Sequence, residues 1–218
     1  MHILELELLT DNLKSTLFFY NQVLGLPIIL KNKSKVTFTT GDTKLSFNLS
    51  DDLKPVYHFA FDIPKNKLLE AFVFLESKVA ILEVIPPDKI ADFHNWNAKS
   101  FYFLDNNGNI LEFIARFDLE NEAEKSFDGS SILSISEIGF VSKNIEQLSK
   151  ELCEKYGLSA YSKQPKLEKF IVLGTVTGLF ILVEENRNWY PTTIKSKSFW
   201  TKVVFESCGK TNQLEFNE

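Results

Sequence analysis

The sequence predicts an α+β fold assembled from repeated βαβββ units, and three observations lead there. A weakly alternating run is followed by a helix-period segment closed by Gly25, and then by two strand-like runs around Gly41 and Asp42. The same order of signals recurs before residue 117. It begins again after residue 130, at an offset of 132 positions that relates Glu5 to Glu137, Leu13 to Ile145 and Gly25 to Gly157.

Residues 3–9 form the first strand. Asp11 or Asn12 caps the helix that follows, because a short polar side chain can accept from its first free amides, and Leu13, Leu17, Phe18, Val23 and Leu24 keep the helical period. Gly25 ends it, Pro27 opens an extended stretch, and residues 36–40 and 44–49 form a hairpin. The second unit has a strand over 56–63 and a helix over 65–77 with Leu68, Leu69, Phe72 and Leu75 inward, then strands over 99–104 and 110–117. Asp105, Asn106, Asn107 and Gly108 turn the chain between the last two strands, since Asn and Asp tolerate unusual backbone angles and Gly accepts positive φ. Residues 118–131 are polar and acidic and read as a linker, which divides the chain into 1–117 and 132–218. In the third unit 170–174 and 179–184 are the hairpin strands. Residues 199–206 begin a fourth unit, which the twelve residues after them are too few to complete. The loop Asn186, Arg187, Asn188, Trp189, Tyr190, Pro191 reads as a structural turn, because aromatic residues and Pro commonly anchor loops.

Composition narrows the function. A net charge of −5, with Lys and Arg scattered singly, argues against nucleic acid, which needs a concentrated basic face. The chain starts directly on a strand pattern and has no long apolar run, so neither a signal peptide nor a membrane span is expected and a cytoplasmic location is. Cys153 and Cys208 lack the spacing of a zinc or redox pair, and Cys153 reads as a small packing residue on a helix. Twenty Phe are unusual and are expected to line both core and cavity.

The strongest chemical signal is Glu112. Side chains alternate along a strand, so this acid shares a face with Ile110 and Ile114 and needs a partner; His58 and Glu5 are the best candidates. His94, beside Phe93 and Trp96 on the loop before the closing hairpin, could reach over a cavity as a proton donor or substrate contact, although a surface position is the commoner fate of such a residue. Tyr57 and Tyr102 could bond a ligand but read more simply as strand aromatics, and His2 has no role because it lies on the other face of its strand from Glu5.

Together these patterns resemble the vicinal oxygen chelate superfamily of glyoxalases, extradiol ring-cleavage dioxygenases and bleomycin resistance proteins. Leu13, Thr16, Phe19, Tyr20, Val23, Leu24, Gly25, Leu26 and Pro27 look like the first helix of that family and its exit. The run from His58 to Asp62 looks like the strand that opens its second module, and the stretch from Asp105 to Glu112 like its closing hairpin. The resemblance implies curved mixed sheets around a cavity, with residues 1–117 as a complete pair of modules carrying the site and 132–218 as a partial second pair. It also implies metal ligation by Glu5, His58 and Glu112, with Ser46 at a fourth position that is Glu in glyoxalase I.

One imidazole and two carboxylates suit a divalent ion such as Fe, Mn, Ni, Zn or Mg and leave positions open for two adjacent substrate oxygens. The expectation is therefore a metal-dependent lyase, isomerase or dioxygenase for a small molecule, with Glu112 and His94 as catalytic residues. A metal-free alternative pairs His58 with Glu112 in a pocket that sequesters an aromatic ligand, and a third makes the chain a structural dimer whose own Phe side chains fill the cavity. Glu137 matches Glu5, but Phe180 at the place of Ser46 and the lack of a later His or Glu strand pair argue against a second metal site, leaving the C-terminal half a structural role. Its unfinished module would pair within the chain or with a second copy as a homodimer.

Overall fold

The computed structural model describes residues 1–217. The first module comprises β1 (His2–Thr10), α1 (Leu13–Phe18), β2 (Ile28–Lys31), β3 (Lys35–Thr40) and β4 (Thr43–Leu49). Asn12 is the cap, its side chain accepting from the Ser15 amide at 3.0 Å, and α1 runs on as a π-helical turn over Phe19–Val23. The second module has β5 (His58–Ile63), α2 (Leu68–Glu76), β6 (Ala91–Phe93), β7 (Ala98–Leu104) and β8 (Ile110–Arg116). The third has β9 (Ser134–Ser142), α3 (Ile145–Tyr156), β10 (Phe170–Thr175) and β11 (Gly178–Glu184), and β12 (Thr201–Ser207) and β13 (Lys210–Phe216) follow as a hairpin.

The strands form two curled sheets, in the orders β13-β12-β1-β4-β3-β2 and β10-β11-β9-β5-β8-β7-β6. The modules therefore pair differently from the sequence expectation. β1 lies antiparallel to β12, so the first module is completed by the C-terminal hairpin, and β5 lies antiparallel to β9, so the second module is completed by the third. β13, not anticipated from the sequence, buries only Leu214 and Phe216, too few apolar positions to announce a strand. The closure of the first sheet takes place within one chain.

In the second sheet the alternation of side chains separates two environments. Phe59, Phe61 and Ile63 of β5 and Leu111, Phe113 and Ala115 of β8 enter the main core, which α2 and α3 cover. Phe61, Phe101 and Phe103 all pack edge-on or tilted around Phe113, at centroid distances of 5.1–5.7 Å. His58, Ala60 and Asp62, with Ile110, Glu112, Ile114 and Arg116, face the opposite way. Most Phe side chains thus sit in the core, and the opposite face is left for a cavity. Leu69, expected inward, is 69% exposed, because α2 turns Leu68, Ala71 and Leu75 to the sheet instead. No helix among the described residues is long and apolar enough to cross a membrane.

Candidate metal centre

β5, β8 and β9 lie side by side in the second sheet, and the register sets His58 two residues from Ala60, which sits opposite both Glu112 and Glu137. A bulge at Ser136 makes this possible. Glu137 is opposite Ala60 and Ile135 opposite Phe61, so Ser136 is the extra residue, and both Ser136 and Glu137 turn to the cavity side. One potential ligand atom from each of His58, Glu112 and Glu137 lies within 4.8 Å of the others, and all three residues are buried.

The protonation states follow from burial and from fixed partners. His58 Nδ1 lies 3.0 Å from the Ile110 carbonyl, which can only accept, so Nδ1 carries the proton and Nε2 presents its lone pair. Burial lowers the His58 pKa to about 4, keeping the ring neutral. That lone pair faces Glu112 Oε2 at 3.8 Å. Burial, and then the charge of Glu137, raises Glu112 to about 8, so its carboxyl holds a proton at neutral pH when no cation is present. Glu112 Oε1 has no hydrogen-bond partner among the described residues.

Arg116 underlies the site and is completely buried. Its Nε donates to Asp62 Oδ1 at 2.9 Å, its Nη2 to Glu137 Oε1, and Ser136 Oγ donates to Asp62 at 2.9 Å. Asp62 and Glu137 hold the guanidinium in its charged form against the opposing effect of burial. Burial pushes Glu137 up while the guanidinium pulls against it. With Asp62, Glu112 and Glu137 ionised against one guanidinium the cluster carries two excess negative charges, which a divalent ion cancels. The neutral imidazole with its fixed tautomer, the orphaned Glu112 oxygen and the oriented Glu137 are a donor set that fits such an ion.

Above these residues opens a cavity of about 520 Å³. Trp189 and Tyr102 flank His58 at ring-centroid distances of 5.3 and 6.3 Å, Tyr190 meets Tyr102 edge-on at 5.5 Å, and Trp96 and Phe170 extend the wall. Trp189 can approach because Gly139 has no side chain: a Cβ there would lie 2.5 Å from the indole. The Trp189 Nε1 donor has no hydrogen-bond partner among the described residues. The loop of residues 186–191 therefore lines the cavity, which corrects its reading as a structural turn alone.

Glu5 is the main correction. It lies on the first sheet, 38% exposed, and pairs with Lys44 at 2.9 Å. Its repeat mate Glu137 occupies the place assigned to it, because β9 rather than β1 pairs with β5. The same bulge recurs in β1 at Leu4, setting Glu5 opposite Val204, so Lys202 holds the position of His58 in the first sheet. Lys202 bonds Glu7, which also takes Lys35 and Asn48 and is held down to about 2 by these bonds against the opposing effect of burial. Ser46 lies on that sheet too, bonded to Thr37 at 2.8 Å. The residue of β11 matching Glu112 is Ile181, two beyond Leu179 opposite Glu137, and it lines the cavity; Phe180 instead packs in the core against Phe140 and Phe205. His94 is at the rim, 88% exposed, with Nδ1 3.2 Å from Asp92, and does not join the buried trio. Tyr57 faces the core and donates to the Trp200 carbonyl at 2.8 Å.

No protein-family model matches the sequence, and no curated protein does. Among solved structures, a "putative dioxygenase" from Bacillus subtilis superposes with a TM-score of 0.60 over 84% of this chain at 16% identity, and this chain spans 63% of its length. Glyoxalase I from Zea mays superposes with a TM-score of 0.54 over 89% of this chain and 70% of its own, at 15% identity. The chain has the vicinal oxygen chelate fold. Within this vicinal oxygen chelate fold the two half-barrels differ: one has a buried imidazole and two carboxylates under an aromatic cavity, and the other has Glu5 paired with Lys44, Lys202 paired with Glu7, and Ser46 bonded to Thr37.

Proposed function

We propose that the protein is a metal-dependent enzyme of the glyoxalase and extradiol-dioxygenase kind, acting on a small molecule with two adjacent oxygens and an apolar body. The observation that carries this reading is the convergence of the His58 lone pair, the orphaned Glu112 oxygen and Glu137 at the floor of an aromatic cavity. His58, Glu112 and Glu137 would hold the ion. A bound divalent cation supplies Lewis acidity, polarising a carbonyl or lowering the pKa of an attached oxygen acid. Trp189, Tyr102 and Tyr190 orient a planar body and exclude water, and Ile181 leaves the fourth side of the centre to the substrate. Glu112 gives up its proton when the ion binds, and His94 lies beside Asp92 at the mouth as a candidate substrate contact.

A second reading, a metal-free binding protein for an aromatic ligand, draws on the guanidinium already seated on Glu137. Calorimetric titration of chelator-treated protein with Mn²⁺, Fe²⁺, Ni²⁺ and Zn²⁺ separates the two. The enzyme reading expects near-stoichiometric uptake of at least one ion, lost in His58→Ala. Because Glu112 must shed its proton, affinity should weaken roughly tenfold for each pH unit below about 8. No uptake of any of the four ions would leave the binding reading.

A further inference from the structure

The chain has only two arginines against its many lysines, and both are at this cavity. Arg116 lies beneath the floor with two carboxylates, whereas Arg187 is in the wall with none. Arg187 is half-buried, and no carboxylate among the described residues comes within 4.0 Å of it. Glu184, three residues back, is taken by Lys169 at 3.3 Å. Among the described residues the side chain of Arg187 makes one hydrogen bond, a long contact of 3.4 Å from Nη1 to the carbonyl of Asn188. Its guanidinium lies 5.0 Å from the centre of the Phe170 ring, which orients the plane and adds no negative charge. The backbone is pinned on both sides, by Arg187 N to the Glu184 carbonyl at 3.3 Å and Ser196 N to the Arg187 carbonyl at 2.7 Å. A half-buried guanidinium with no carboxylate beside it among the described residues faces the same cavity as His58, Glu112 and Glu137.

We propose that Arg187 is a specificity-determining residue that binds the carboxylate of an aromatic or otherwise apolar acid, whose body lies along the Trp189 and Tyr190 wall. A planar fork of N–H donors matches a carboxylate in two parallel bonds. A monoanion fits better than a phosphate, because among the described residues Arg187 is the only Lys or Arg lining the cavity. The position of Arg187 also sets the direction of entry, since it holds the anionic end at the wall. This deepens the reading of the cavity as a substrate site, and it does not depend on the metal.

The test uses chelator-treated protein and two probes of one shape, 3-phenylpropionate and its amide, titrated calorimetrically. The parent should bind the acid about tenfold more tightly than the amide, equivalent to about 1.4 kcal/mol. Arg187→Gln should abolish that ratio while leaving amide binding unchanged, and Arg187→Lys should keep part of it. In the unmutated protein phenylglyoxal should modify Arg187 and spare the buried Arg116, with 3-phenylpropionate protecting. Equal binding of the two probes by the parent, an acid preference that survives Arg187→Gln, or no binding of either at millimolar concentration would each overturn the proposal. Failure of the metal reading alone would leave the acid preference intact, because the test uses metal-free protein.

Discussion

Arg116→Met is expected to destabilise the protein by about 3–5 kcal/mol, the usual result of removing one partner from a buried ion pair. The side chain is wholly buried between Asp62 and Glu137, so methionine fills much of its volume and leaves both carboxylates without a counter-charge. Packing loss is minor in this exchange, and the desolvated anions carry the effect. Its pH dependence identifies the cause: acidification protonates the abandoned carboxylates, so the deficit relative to the parent should shrink between pH 8 and pH 5. Urea unfolding at the two pH values measures it. A deficit below about 1 kcal/mol, or one unchanged with pH, would mean that the charge network is not what Arg116 supports.

Glu112→Gln should act in the opposite direction in metal-free protein. The folded state holds the Glu112 proton up to about pH 8, whereas the unfolded chain releases it near the ordinary value of 4.5. Between those values the folded parent binds the extra proton, so its stability falls by about 1.4 kcal/mol per pH unit as pH rises. A glutamine has no proton to lose. The variant should match the parent near pH 4.5 and exceed it by about 3–5 kcal/mol at pH 8, less whatever its amide loses by poor bonding. Added metal should reverse the order, because only the parent gains from the ion. Parallel pH–stability curves for the two proteins would show that Glu112 is already ionised in the folded state.

How far the sequence reaches is clearest at three places. β8 and its turn were legible because period-two alternation and an Asp-Asn-Asn-Gly turn are local signals, and Glu112 was conspicuous as an acid on an apolar face. Glu5 and Glu137 were not separable in the same way. Both sit at the same place in a repeat and at the same bulge, and what distinguishes them is which strand β5 adopts as its neighbour, a pairing across more than seventy residues. The 132-residue repeat itself was the available clue, since it made the two acids equal candidates. The 186–191 loop was illegible for another reason: its role depends on Gly139, far away in the chain, leaving room for Trp189. The exposure of Leu69 shows the same limit on a helix, where periodicity names a stripe but neighbouring elements decide its edges.

The central claim is that the metal centre is made by the second and third modules, from His58, Glu112 and Glu137. Metal content, measured by mass spectrometry on protein purified without chelator, tests it most directly in the parent, Glu137→Gln and Glu5→Gln. The account predicts near-stoichiometric metal in the parent and in Glu5→Gln, and at least a tenfold loss in Glu137→Gln. Metal retained in Glu137→Gln and lost in Glu5→Gln would place the centre in the other sheet and contradict it.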